Sequence, residues 1–243
     1  MIERQLDIAT KDGASTTFVT HPERGGPHPV IVFLMDAPAI REELRDMARR
    51  FAAVGYYVML PNLYYRAGVM EIGPIDLDPD SASRKQMYEL MNSLSIRMVL
   101  DDIDAMLDFA GGDPAADASR VGTVGYCMSG RFAICAGGHR PNVVKATASI
   151  YGVKLVTDQA NSPHLVAKSS PAEFYIACAE TDHWAPMPMV EQMQRELAGA
   201  HGEVELYPGV EHGFAFPKRH CFDKPAAERH WERLYALFAR NLG

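Results

Sequence analysis

The chain has 243 residues, 47% of them hydrophobic and 23% charged, the proportions of an ordinary globular protein, which excludes disorder, collagen and coiled coil. With 24 basic against 31 acidic residues the formal charge is −7, so non-specific attraction to nucleic acid or to an anionic membrane is not expected, and the partner should be a small molecule. No apolar run approaches the roughly 18 to 20 residues that cross a bilayer, and the opening MIERQLDIATKDG lacks the apolar heart of a signal peptide, so the chain reads as cytoplasmic.

Two short strand-like stretches, residues 2–8 and 15–20, flank Lys11-Asp12-Gly13-Ala14, which has the composition of a hairpin turn, and they predict an antiparallel edge. Val30-Ile31-Val32-Phe33-Leu34 is continuously apolar and β-branched, as a strand buried on both faces should be. Helical spacing of Leu44, Met47, Ala48 and Phe51 predicts a helix over 41–54, closed by Gly55, and the next apolar run, 56–60, ends at Pro61. Residues 62–83 carry several Gly and Pro and four acids; a loop this long in a compact domain is a candidate lid. One long helix is expected over 84–110, before Gly111-Gly112-Asp113-Pro114.

The alternation continues with strand 121–126, helix 128–138, strands 146–151 and 174–179, helix 189–200, strand 203–207 and a terminal helix 225–241. Strands alternating with helices imply a mostly parallel sheet flanked by helices, and the absence of repeats or a Ser/Gly linker makes residues 1–243 a single domain. Ligands of such sheets sit where the carboxyl ends of the strands meet their loops.

At the end of strand 121–126 stands Gly125-Tyr126-Cys127-Met128-Ser129-Gly130. Small residues around a polar residue between a strand and a helix are the pattern of a nucleophile elbow, with a thiol in the reactive place; Ser129 occupies a position that usually holds Gly, and Gly130 follows one later. A helix starting at Met128 would aim its positive end and free amides at the sulfur, lowering its pKa and supplying half of an oxyanion hole. A buried structural cysteine at a helix start fits the same spacing. Two later strand ends add Glu180-Thr181-Asp182-His183-Trp184 and Glu211-His212-Gly213-Phe214. The order nucleophile, acid, histidine, each after a strand, is that of an α/β-hydrolase triad, and Cys127, Asp182 and His212 satisfy it. Glu180 is a competing acid and His183 a competing base, although His183 adjoins the acid that would have to orient it. The four cysteines form no CxxC pair, and His183, His212, His220 and Cys221 lack paired ligand spacing, so neither a disulfide scaffold nor a metal or other cofactor is expected.

These residues resemble the dienelactone hydrolase family, a branch of the α/β-hydrolases. Val30 to Asp36, Pro61-Asn62-Leu63-Tyr64, Gly125-Tyr126-Cys127, Asp182-His183 and Glu211-His212-Gly213-Phe214-Ala215 fall in family order along nearly the whole chain. The resemblance implies a single-domain α/β-hydrolase with a sheet of about eight strands. It implies nucleophile Cys127, acid Asp182 and base His212, with oxyanion amides from Met128 and Ala37. The family usually has Glu, taking part in thiol activation, where this chain has the shorter Asp36; an acid closing an apolar strand is costly to bury unless paired, and a solvated loop start is the alternative.

For substrate binding the resemblance implies Arg84 and Tyr88, four apart on one helical face. The second arginine it implies, four residues after the histidine, is here Phe216, and Gly213 replaces a hydroxyl-bearing residue, so a less anion-selective, more apolar pocket is expected, with Phe216, Trp184, Met35 and Met128 as candidate lining, although Met and aromatic residues are more often core than pocket. The expected activity is hydrolysis of activated esters or enol lactones through an acyl-enzyme on Cys127, by a monomer or homodimer. The alternative is a catalytically idle hydrolase fold that binds a small ligand or senses oxidants through Cys127.

Overall fold

The structure is a computed structural model that describes residues 1–73, 78 and 80–243. Eight strands form one mixed sheet in the order β1-β2-β4-β3-β5-β6-β7-β8. By density of internal contacts the chain divides into two compact units, Met1–Ala118 and Ser119–Gly243.

In the first unit β1 (Ile2–Thr10) and β2 (Gly13–His21) pair antiparallel with Thr10 opposite Gly13, leaving Lys11-Asp12 as a two-residue loop. β3 (His28–Leu34) and β4 (Tyr57–Pro61) run parallel, Ile31 opposite Val58, and are joined by α1 (Glu42–Ala52); β2 runs antiparallel to β4. The helix buries Leu44, Met47, Ala48 and Phe51, as its spacing predicts, and Phe51 meets Phe33 edge-on at 6.2 Å.

The single helix expected over 84–110 is instead two, α2 (Ala82–Ser93) and α3 (Ile96–Gly111). Leu94 is extended, and the Ser95 hydroxyl accepts the Met98 N–H at 3.2 Å, so a serine able to cap a new helix ends the old one. In the 62–83 segment a 3₁₀ turn covers Tyr65–Ala67 and Ala39 bridges Glu71; part of the candidate lid, 74–77 and 79, lies outside the described residues.

β5 (Ala116–Tyr126), most of which lies in the second unit, β6 (Val144–Ile150), β7 (Glu173–Thr181) and β8 (Gly202–Glu211) are successive parallel neighbours. They alternate with α4 (Gly130–His139), α5 (Pro163–Ser169), α6 (Met187–Glu196) and the terminal α7 (Lys224–Leu242). The short α5 has no counterpart among the predicted elements. Ile134, Phe174, Ile176, Cys178, Val190, Met193 and Leu197 form one buried cluster, so the apolar run of β7 reads as a strand because it is covered by α4 and α6. No helix among the described residues is long and apolar enough to cross a membrane.

Candidate active site

β5 ends at Tyr126 in extended geometry, and Cys127 follows with φ +53°, a left-handed conformation that costs a non-glycine residue on the order of 1 to 2 kcal/mol. A 3₁₀ turn, Cys127–Ser129, then leads into α4. The turn is tight enough to dictate its neighbours. A Cβ on Gly125 would lie 2.2 Å from the Ser129 carbonyl oxygen, and one on Gly130 would lie 2.2 Å from Ser149 Oγ and 2.8 Å from Gly152 Cα. The second small residue is therefore needed at 130, where β6 and its loop press on the helix start, and Ser129 is tolerated. Val153 closes the elbow by donating its N–H to the Cys127 carbonyl at 3.1 Å.

β7 and β8 bring the other two groups together. After a register shift Thr181 pairs with Glu211, so the next residues, Asp182 and His212, leave neighbouring parallel strands side by side. His212 Nδ1 lies 2.6 Å from Asp182 Oδ2; an ionised carboxylate only accepts, so Nδ1 carries the proton and Nε2 is turned to other work. The second oxygen, Asp182 Oδ1, accepts the N–H groups of Trp184 at 2.9 Å and Ala185 at 3.2 Å. The two competitors are occupied elsewhere. Glu180 accepts the Gly209 N–H at 2.8 Å on the exposed side, and His183 is exposed against the Trp184 ring at 4.6 Å.

Burial opposes a charge on His212, but neighbouring Cys127 and the hydrogen-bonded Asp182 outweigh it and raise the imidazole to about 10. His212 Nε2 is buried and makes no hydrogen bond, and Cys127 is near enough to raise the pKa of the ring. The ring of Tyr151, itself at φ +39°, lies 4.9 Å from the His212 ring. The Cys221 thiol donates to the His212 carbonyl at 3.2 Å. Sequence reasoning passed over Tyr151 and Val153, although both follow directly from the strand-end rule applied to β6.

Phe216 takes the packing place that an aromatic residue commonly takes. It is wholly buried between Tyr126, at 5.5 Å, and Tyr151, at 6.1 Å, so its ring packs in the interior. Met35 and Met128 are likewise fully buried, whereas Trp184 is 40% exposed beside Asp182.

In the first unit Asp36 is fully buried, which overturns a solvated loop start. Arg41 grips it through Nη1–Oδ1 at 2.6 Å and Nη2–Oδ2 at 3.1 Å, a two-pronged pair. Burial would lower the Arg41 pKa, yet the Asp36 charge holds it above the ordinary value. Arg41 also donates to the Ala39 carbonyl at 3.2 Å, and Ala39, at φ +71°, donates to the Asp36 carbonyl at 3.2 Å. The Ala37 carbonyl accepts the Tyr64 hydroxyl at 2.9 Å, so the backbone after β3 is tied on both sides. Arg84 and Tyr88 lie in α2, half-buried and four residues apart. Among the described residues no group of three His, Cys, Asp or Glu side chains is arranged to hold a metal.

A family model for the dienelactone hydrolase family matches residues 16–242. The chain belongs to the dienelactone hydrolase family. A candidate carboxymethylenebutenolidase of Methylorubrum extorquens is 28% identical over 98% of this chain and 81% of its own length. Another, from Escherichia coli K12, is 29% identical over 90% of this chain and 79% of its own. The crystal structure of a candidate dienelactone hydrolase from Klebsiella pneumoniae subsp. pneumoniae is 26% identical, covers 98% of each chain and superposes with a TM-score of 0.86. The fold is therefore that of an α/β-hydrolase, with a mixed, mostly parallel eight-stranded sheet, and the protein is a dienelactone hydrolase-like hydrolase.

Proposed function

We propose that the protein is a cytoplasmic thiol hydrolase of activated carboxylic esters and enol lactones, working through an acyl-enzyme on Cys127. The observation that carries this reading is the Asp182–His212 hydrogen bond of 2.6 Å, with the elbow cysteine close enough to His212 to raise its pKa. Residues 1–243 act as one functional domain, since the family match spans both units.

In this mechanism His212 Nε2 holds the proton of Cys127, and the thiolate adds to the substrate carbonyl carbon. The resulting oxyanion accepts the Met128 N–H at the start of the elbow turn; Ala37, its carbonyl anchored to Tyr64, is the second amide that family membership implies. Asp182 accepts the Nδ1–H and holds the ring in place. As the intermediate collapses, the C–O bond breaks and His212 passes its proton to the leaving oxygen. Acylation removes the sulfur charge that raised His212, so the ring becomes a better acid for that step. It then serves as the base for water, which cleaves the thioester and releases the carboxylic acid and the free thiol. An enol or aryl oxide needs little proton donation to leave, which favours these substrates over amides. Asp36, held by Arg41, shapes the backbone at Ala37, and Arg84, Tyr88 and Trp184 are the substrate contacts to test first.

The test is Cys127→Ala assayed on para-nitrophenyl acetate and an enol lactone, with intact-mass detection of the acyl adduct on the wild-type enzyme. A loss of about a thousandfold or more in kcat is expected. Full activity in the variant would show the mechanism to be wrong.

A further inference from the structure

We propose that His230 is a positioning residue for the nucleophile: from the terminal helix it holds the hydroxyl of Tyr126, and through Tyr126 the strained backbone of Cys127. This rests on the hydrolase reading above and adds to it a residue outside the triad.

His230 and Tyr126 are both fully buried. An imidazole and a phenol are costly in the interior unless their polar atoms find partners. His230 Nδ1 faces the carbonyl of Ala227, three residues earlier in α7, and since a carbonyl only accepts, Nδ1 is the donor. The ring is thereby fixed on its own helix with Nε2 toward the Tyr126 hydroxyl at 3.1 Å. The two rings meet edge to face, 5.9 Å apart and inclined by 86°. An apolar residue at 230 would fill the same interior without the cost of a buried imidazole, so packing alone does not account for a histidine there.

The helix that carries His230 is itself tied to the loop of the proposed base. Its N-cap, Asp223, accepts the Ala226 N–H at 2.8 Å and donates its own N–H to the Phe214 carbonyl at 3.1 Å. The rings of His230 and Phe214 lie 6.1 Å apart at 89°. His230 therefore meets both the residue before Cys127 and the second residue after His212.

Tyr126 is where such a restraint has most effect. It is the last residue of β5, at φ −109°, and the next residue is Cys127 at φ +53°. A strained residue keeps its conformation only while its surroundings over-determine it. Gly125 brings no side chain to that task, so the anchor of the strand end is Tyr126. Its ring is packed by Tyr151 at 5.9 Å and Phe216 at 5.5 Å, and its hydroxyl is met by His230. Apolar packing has no preferred direction, whereas a hydrogen bond weakens steeply as its angle departs from linear. The bond to His230 is thus the directional restraint on the residue from which the elbow turns.

The experiment removes the bond from each end. Tyr126→Phe deletes the hydroxyl and keeps the ring, His230→Leu deletes its partner, and His230→Gln returns a hydrogen-bonding group to the place of Nε2. Single-turnover release of para-nitrophenol from para-nitrophenyl acetate, with enzyme in excess and well below each melting temperature, gives the limiting acylation rate and the half-saturating concentration. Tyr126→Phe and His230→Leu should each lower the limiting rate about fivefold and leave half-saturation within about twofold. The double variant should be no slower than the slower single, because both changes break the same bond, and His230→Gln should recover most of the rate lost in His230→Leu. A merely structural bond would lower the melting temperature and leave the rate of the folded enzyme alone. A rate within about twofold of wild type in either single variant, losses that simply multiply in the double, or no recovery in His230→Gln overturns the proposal and leaves the hydrolase reading standing. A wild type that neither releases para-nitrophenol nor forms an acyl adduct removes both.

Discussion

The ring of Tyr151 lies 4.9 Å from the ring of His212, inclined by 58°, and two residues later Val153 donates its N–H to the carbonyl of Cys127. One short segment after β6 therefore touches both the elbow and the histidine. Its left-handed residue, Tyr151, is also in contact with Phe214 and Phe216 of the loop that carries His212. Strain of this kind persists where the surroundings over-determine it.

That contact predicts a positioning role for Tyr151. Tyr151→Leu should lower kcat about tenfold while leaving KM within about threefold, and should lower the His212 pKa by removing an aromatic neighbour of the imidazolium. Tyr151→Phe should keep most of both. Steady-state kinetics with NMR titration of the His212 ring checks this, and a Tyr151→Leu enzyme with wild-type kcat and pKa would contradict it.

The elevated His212 pKa depends on its neighbours. The groups that face it are Cys127 from the elbow and Asp182 from the end of β7, with Tyr151 against the ring. Cys127→Ser, which removes the sulfur, should lower the His212 pKa from about 10 toward its ordinary 6.5 by at least about one unit. The stability linkage has a definite sign. Because the folded pKa is raised, the contribution is complete below about 6.5 and is lost as pH rises through about 10. Urea midpoints of the wild type should therefore fall over this interval more steeply than those of Cys127→Ser.

Gly125→Ala should destabilise the protein by about 3 kcal/mol, because the added methyl would meet the Ser129 carbonyl at 2.2 Å and backbone cannot rotate aside. Gly111→Ala, whose methyl would meet nothing within 4 Å, is the control and should stay within about 0.5 kcal/mol of wild type. Thermal melts of the two variants give the comparison.

Arg41→Met strips the guanidinium from a fully buried carboxylate and should cost about 3 kcal/mol in urea unfolding. Combining it with Asp36→Asn should cost less than the sum of the single changes, since the buried charge is then gone as well. Strict additivity would mean that the pair is not energetically coupled.

The local order of this protein is legible in its sequence because it is set by near neighbours. Continuous β-branched runs such as 30–34 and helical spacing such as Leu44, Met47, Ala48 and Phe51 depend on burial patterns a few residues long, and they specify the strands, most helices and the strand ends where chemistry belongs. The elbow is legible for the same reason, since its small residues lie within five positions of Cys127. The break between α2 and α3 was present too, in a capping serine that the longer apolar pattern concealed.

Choices among adjacent residues belong to the tertiary structure. Asp182 and Glu180 both close β7; only the register of β7 on β8 turns one toward His212 and the other toward Gly209. Asp36 could be read as exposed or buried until Arg41, five residues on, was seen to fold back and neutralise it. Phe216 could be read as pocket lining or as core until its ring was seen to go inward, between Tyr126 and Tyr151. Sequence spacing determined which kinds of groups reach the sheet's edge. Strand register, packing against Tyr151 and the room left by a missing side chain decided which of them meet, because those are distances between residues far apart in the chain.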